Sequence, residues 1–296
     1  MNNHFIHYNK EDKVKDDFII MDILQGNDLQ KVEQLINKYG LYYRDITNYG
    51  ILYYASYEVS KYLLEKYNKL INIHEMHGVE GKTAIFDEKD SRKVQFLIDK
   101  GLNVNHTCSL EENALFSAGN YDVAKVLIDN NINMSQRNYL SANFLFYISS
   151  LEIFQYALSK GMPQEYFNIK KHSGDNILTA YEFELYPYLI DEMKVDIHNV
   201  NNDGLNIILR IASDFLHKET TNKKLNKADK KVIEVIKYLL LKGVELDIPD
   251  KYGQNIKKYM SDDIYNECKA IELSIKEKKS LNKIKVVEQK TERKRI

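Results

Sequence analysis

Cysteine, proline and tryptophan are nearly or wholly missing: the 296 residues hold two cysteines, three prolines and no tryptophan. Cys108 and Cys268 stand 160 residues apart, which excludes a disulfide framework and fits a reducing compartment. Proline at about 1% of the chain, against an average of about 5%, argues against a loop-rich all-β protein and for a mainly helical one. Nowhere do 18 consecutive apolar residues occur, and the opening MNNHFIHYNKEDKVKDD has no apolar run of signal-peptide length. A soluble, cytoplasmic protein is expected, with secretion by a route that reads no N-terminal signal left open.

What the chain does contain is 44% hydrophobic residues, 29% charged residues and 22 tyrosines. That is enough apolar surface to offset the entropy of ordering, so a wholly disordered chain is excluded. The net charge of −1 conceals a split. From Lys276 to Ile296 nine Lys/Arg face three Glu, a net of +6, so the 275 residues before them carry −7. The sequence describes an acidic body with a short basic tail.

One phrase recurs along that body. It reads Thr83-Ala84-Ile85-Phe86, Asn113-Ala114-Leu115-Phe116, Asn143-Phe144-Leu145-Phe146, Asn176-Ile177-Leu178-Thr179 and Asn206-Ile207-Ile208-Leu209. Gly50-Ile51-Leu52-Tyr53 precedes the series and Asn255-Ile256 follows it, giving spacings of 33, 30, 30, 33, 30 and 49. In the regular units a second phrase follows 13 or 14 residues later, as at Leu97-Ile98, Leu127-Ile128 and Leu189-Ile190, and a third is centred 7 or 8 residues after that begins, as at Asn103-Val104-Asn105. Val94, Leu97 and Ile98, and likewise Val123, Val126 and Leu127, fall on one helical face. Glycine follows the second phrase at Gly40, Gly101, Gly161 and Gly243, where a left-handed helix cap needs it. Each unit therefore reads as two short helices and a turn. Such a unit buries too little surface to fold alone and must stack on its neighbours.

With a glycine before the first helix (Gly81, Gly174, Gly204, Gly253) and the exit Gly101-Leu102-Asn103-Val104-Asn105, the period of 30–33 resembles ankyrin repeats. The family's usual Thr-Pro-Leu-His is here Asn-Ala-Leu-Phe or a relative, a variant similar to divergent bacterial members. Asn or Thr at that position can cap the helix that proline would otherwise start. The resemblance implies an all-α fold: an elongated, curved α-solenoid of about eight helix-turn-helix repeats over residues 17–271, between an N-terminal arm at 1–16 and a basic helix end and tail at 272–296. Asp17–Gln25 would open the stack, and Ser261–Ile275 would close it before a frayed tail. The repeat at Asn206 reaches its second helix about 19 residues late. The polar, basic segment near 213–230 is read as an exposed insertion, either a partner-contacting loop or a tolerated excursion.

Chemical sites compete poorly with this reading. His74, His77, His106 and Cys108 would converge if consecutive turns stack, and nitrogen and sulfur ligands suit zinc. His74-Glu75-Met76-His77 matches no metalloenzyme spacing, however, and polar turn residues explain the four as well. There is no Gly-x-Ser-x-Gly sequence and no glycine-rich phosphate cradle. Glu111-Glu112 and Asp262-Asp263 read as solvated or helix-terminal charges. No enzyme, no cofactor and no metal site is expected. Ser274–Val287 could serve as an amphipathic partner segment, but the acidic body would repel a polyanion, so neither nucleic acid nor membrane is expected as a partner.

The resemblance also implies where a partner would bind: turn tips and the concave face of the first helices. Carried over repeat by repeat, those positions include Glu80, Lys82, Asp90, Glu112, Tyr121, Tyr139, His172, Asp175, Phe183, Glu184, Asn202, Asp203 and Asp214. Carboxylates and aromatics dominate, which suits a basic protein. The expected function is a non-catalytic protein-binding scaffold. Its most concrete form is a monomeric immunity or inhibitor-type protein that sequesters a basic toxin through an acidic concave face; the alternative is a bacterial effector that binds a host protein, and an enzyme with an unrecognised site ranks below both.

Overall fold

In the computed structural model, residues 20–39, 51–180, 183–216 and 225–293 are described. The expected arm at 1–16, residues 17–19 of the opening helix, Gly40, Gly50, the middle of the insertion at 217–224 and the last three residues of the tail lie outside them. The chain divides into two compact units, Met1–Tyr166 and Phe167–Ile296. Both are helical, and no strand occurs among the described residues, only isolated bridges at His77–Lys82 and Val200–Asn206.

Unit one begins with a helical stretch at 20–25, followed by α1 (Leu29–Tyr39), α2 (Ile51–Tyr54) and α3 (Tyr57–Tyr67). α4 (Ser91–Asp99), α5 (Tyr121–Asp129) and α6 (Leu151–Ser159) continue it. The second helices α3 to α6 pack side by side in chain order. Each starts at a side chain that accepts a backbone N–H: Ser56 from Val59, Asp90 from Arg92, Asn120 from Val123 and Ser150 from Ile153. α4 ends at Gly101, whose φ of +99° lets Leu102 N–H reach back to the Leu97 carbonyl at 3.0 Å. The inward faces are those the spacing predicts: Val94 and Leu97, Val123 and Leu127, Ile153 and Ala157 are all buried.

The first helices are shorter than expected. At Ala114–Ser117, Phe144–Phe146, Ile177–Thr179 and Ile256–Lys258 they are single 3₁₀ turns. At Thr83–Phe86 only a turn forms, and Asp87 ends it at φ +57°. Four apolar residues between a cap and a break cannot sustain α-helical propagation. Among the described repeats from Thr83 onward, it is the Asn206 repeat that builds a full first helix, α7 (Ile207–Phe215).

Unit two places α7 against the Ile177–Thr179 and Ile256–Lys258 turns, and packs α8 (Lys227–Leu241) between α7 and α9 (Asp262–Arg293). Where Leu189-Ile190 predicts a second helix, a five-residue π-helical turn, Tyr188–Glu192, follows Pro187. A 3₁₀ turn at Phe183–Leu185 and the helical residues Tyr186 and Pro187 lead directly into it. The insertion is also narrower than 213–230. Ser213–Phe215 finish α7, and Asn226 caps α8 in a reciprocal box with the buried Asp229. At the C-terminal end the closing helix does not stop at Ile275. α9 runs on to Arg293, with Asp262 and Asp263 in its first turn and no glycine or proline to break it.

The tyrosines have a recurring job. Tyr62, Tyr156, Tyr238 and Tyr265 each sit four residues before a lysine, and each pair clasps one carboxylate of the preceding repeat. Lys66 joins Tyr62 on Glu33 at 2.8 Å, and Lys160 joins Tyr156 on Asp129 at 2.6 Å. Lys242 joins Tyr238 on Asp191 at 2.5 Å, and Lys269 joins Tyr265 on Asp247 at 2.6 Å. Helical spacing of four puts phenol and ammonium over the same neighbour. The clasps are solvent-facing, so each contributes little alone and more as a repeated series.

Candidate functional site

A ladder of buried asparagines supports the turn tips. Asn113, Asn176 and Asn206, with the half-buried Asn255, each accept a backbone N–H two or three residues on, which caps the first helix. The amide of Asn113, Asn143, Asn176 and Asn206 donates onward to a carbonyl of the following exit stretch: Asn133 at 2.9 Å, Tyr166 at 3.0 Å, Asp196 at 2.6 Å and Glu245 at 2.8 Å. One side chain thus ties the start of a repeat to its own exit, with Oδ1 facing the helix start and Nδ2 reaching the exit carbonyl. This is the physical reason for asparagine in the repeated phrase.

Three tips are tight turns, each folded around its own polar side chain. Asn138 accepts from Leu140 and Ala142 N–H, Asn201 from Asp203 and Leu205, and Asp250 from Tyr252 and Gln254. Consecutive tips are joined by backbone hydrogen bonds: Ser109 donates to Glu80 (2.7 Å), Tyr139 to Leu110 (3.1 Å), Asn202 to Ser173 (2.9 Å) and Lys251 to Asp203 (2.9 Å). The approach is close enough to require glycine. At Gly204, φ +82°, a Cβ would lie 2.7 Å from the Lys251 nitrogen.

The carboxylates expected to face a partner are mostly engaged within the chain. Glu80 pairs with Lys82 at 2.9 Å, and Lys82 also reaches Asp87 at 3.1 Å. Burial works against the Lys82 ammonium, yet Glu80 and Asp87 outweigh it and hold its pKa above the ordinary lysine value. Asp90 caps α4 and grips Arg92 at 2.6 Å, which lowers its pKa. Glu112 accepts the Asn138 amide, and Asp175 accepts Asn201 and Ser173, all at 2.8 Å. Glu184 pairs with Lys231, Asp203 with Lys251, and Asp214 with Arg210 at 3.1 Å. An uninterrupted acidic groove is therefore not what these residues form. Asn202 donates to the His172 carbonyl at 2.7 Å, while the His172 side chain is exposed.

The aromatic members are more accessible. Tyr139 is 53% exposed at its tip, and Tyr121 lies edge-on to Tyr156 at 5.7 Å. Phe183 packs edge-on against Tyr186 and Phe215, and with Asp214 it lines a cleft of about 450 Å³ in unit two. Arg210, Phe215 and Lys231 complete that cleft beside the insertion. Phe183, Glu184 and Asp214 are thus brought together through Arg210, Phe215 and Lys231, none of which the sequence reading named. Arg210 lies one turn before Asp214 on α7 and Phe215 directly follows it, whereas Lys231 on α8 is 47 residues from Glu184.

The four candidate zinc ligands go separate ways. His77 stacks on Tyr53 with ring centres 3.7 Å apart, His106 Nε2 lies 2.7 Å from the Gly81 carbonyl, and Cys108 is buried. Among the described residues no three His, Cys, Asp or Glu side chains gather to hold a metal. No described helix is long and apolar enough to cross a membrane.

Two solved structures are similar to the chain. A crystal structure of an ankyrin repeat protein aligns at 21% identity and a TM-score of 0.45, covering 62% of this chain and 90% of that one. An ankyrin repeat domain from Acinetobacter baumannii AYE aligns at 16% identity and the same score, covering 62% and 92%. No protein-family model and no curated protein matches the sequence. Over its described residues the chain is an all-α protein built of helical repeats. Its own geometry carries that statement: paired helices at a period of 30–33, capped starts, left-handed exits and tips bonded in series.

Proposed function

We propose that the chain is a non-catalytic protein-binding scaffold whose partner is a basic protein. The observation that carries this reading is the series of bonded tips. Buried asparagines and backbone hydrogen bonds fix the frame, while the tip side chains vary from repeat to repeat and reach solvent. A pre-ordered surface of this kind loses little entropy on binding. The intramolecular ion pairs redistribute charge without removing the surplus of −7 carried before Lys276. That surplus supports steering of a cationic partner. In its most concrete form, the partner is a basic toxin and the chain its immunity or inhibitor protein.

Capture of partners by the full chain from its source cells, followed by association rates across an ionic-strength series, tests this. A basic protein that is inhibited on binding, with an association rate that falls steeply with salt, is the expected result. An acidic partner bound at a salt-independent rate, or substrate turnover by the purified chain that survives charge reversal at Glu112, Asp175 and Asp203, would sink it.

A further inference from the structure

The tips of unit one differ chemically from those of unit two. In unit one the two outermost positions of successive tips hold Val79 and Glu80, Ser109 and Leu110, then Tyr139 and Leu140. Val79 is 95% exposed, Tyr139 53% and Leu140 36%, and Leu110 is half-buried. The bonds from Ser109 to Glu80 and from Tyr139 to Leu110 set the three tips side by side, so the four apolar side chains share one ridge of adjacent tips, with Ser109 and Glu80 among them. Isolated exposed apolar residues are ordinary, whereas a contiguous row marks an interaction surface. The matching positions of unit two hold His172 and Ser173, Asn202 and Asp203, and Lys251 and Tyr252. There Tyr252 is the exposed aromatic, and the Lys251 ammonium lies 5.1 Å from its ring centre.

We propose that the ridge of Val79, Leu110, Tyr139 and Leu140 seats an aliphatic segment of the partner that is flanked by lysine or arginine. The inference rests on the scaffold reading above and adds where on the chain the partner docks and what it presents there. Apolar contact follows from the exposed side chains. The flanking charge follows from the groups beside the ridge: Glu80, Asp87, Glu111 and Glu112 outnumber Lys82 and Arg137. Glu112 accepts its hydrogen bond from a neutral amide, Asn138, rather than from a cation. A second copy of the chain would bring acid to acid. Four partly exposed side chains also fall far short of the roughly 800 Å² per partner that a stable interface buries. The ridge is therefore an anchor within a larger contact with a different, cationic protein.

A random peptide library selected on the full chain tests the proposal. Binding of the enriched peptides is then compared on a Val79→Ser, Tyr139→Ser double variant and on Tyr252→Ser. Val79 and Tyr139 are exposed, so circular dichroism should show both variants folded. The expected peptides combine Leu, Ile or Val with Lys or Arg, weaken about tenfold or more on the double variant, and bind Tyr252→Ser unchanged. Enrichment of acidic peptides overturns the proposal. So does tight binding that ignores the double variant, although the scaffold reading then survives. A library that yields nothing above scrambled controls removes both.

Discussion

Tyr156 donates its phenolic proton to Asp129 at 2.6 Å, from α6 to the end of α5, while Lys125 and Lys160 hold the same carboxylate at 2.5 Å and 2.6 Å. Both lysines and the phenol stabilise the charged form and keep the Asp129 pKa well below the usual carboxylate range. Tyr156→Phe removes one of three partners from a solvent-facing site. It should lower stability by about 0.5–1 kcal/mol, a fraction of a full buried hydrogen bond. A urea midpoint that shifts with no change in slope would register it; an unchanged midpoint would make the clasp ornamental.

Asn206 should matter more. It is 1% exposed, caps α7 through Leu209 N–H and donates to the Glu245 carbonyl. Asn206→Ala leaves a buried donor and a partly buried acceptor without partners, at a cost of about 1–3 kcal/mol. Asn206→Asp keeps the cap but turns a carboxylate towards Glu245 O. Its loss should shrink as the pH falls and the carboxyl takes up a proton to donate. Equal losses at neutral and acidic pH in thermal melts would contradict the bridging role.

Acid should loosen the N-terminal repeats first. Lys66, then Tyr62 and Tyr67, hold the Glu33 carboxyl at about 2, against an ordinary 4.5. Because the folded value is depressed, the stabilisation is complete above 4.5 and is lost as the pH falls from 4.5 towards 2. Glu33→Gln should flatten the stability profile in that window and leave it parallel above pH 5 or so. Backbone hydrogen exchange in α1 and α3 would read this locally.

Lys93 is 1% exposed, with its ammonium 2.6 Å from Glu88 and 3.3 Å from the Tyr53 carbonyl. Removing one member of a buried pair strands the other, so Glu88→Ala should cost about 3 kcal/mol or more. Adding Lys93→Met to that variant should restore about half of the loss or better, because the methylene stem keeps its packing without the charge. Chemical denaturation of the single and double variants decides it.

The phase of the repeat, the caps and the buried stripes could be read from the sequence because each is local. Asn113, Leu97 and Gly101 announce themselves within one unit. The clasps could not, although Tyr62–Lys66 and Tyr156–Lys160 show the i, i+4 spacing openly. Their carboxylates lie 29 and 27 residues upstream, and nothing selects Glu33 or Asp129 until the repeats are stacked. For the same reason the sequence counted Asp203 and Glu184 as partner-facing acids: Lys251 and Lys231 are 48 and 47 residues distant. The closing helix was underestimated at Ile275 because the apolar stripe fades there, whereas helix-forming Lys, Glu and Gln carry α9 on to Arg293.

The Asn206 repeat spans 39 residues between its bridging amide and carbonyl, yet closes at 2.8 Å, as tightly as the 20-residue bridge of Asn113 at 2.9 Å. The extra chain between α7 and α8 is therefore invisible to the repeat that contains it. Loop length at this point is mechanically uncoupled from the register of the stack, and each doubling of it costs only about 0.6 kcal/mol in closure entropy. The junction between Leu216 and Asn226 is where a reporter hairpin or an affinity tag can be spliced into the middle of the chain without disturbing a single rung of the asparagine ladder.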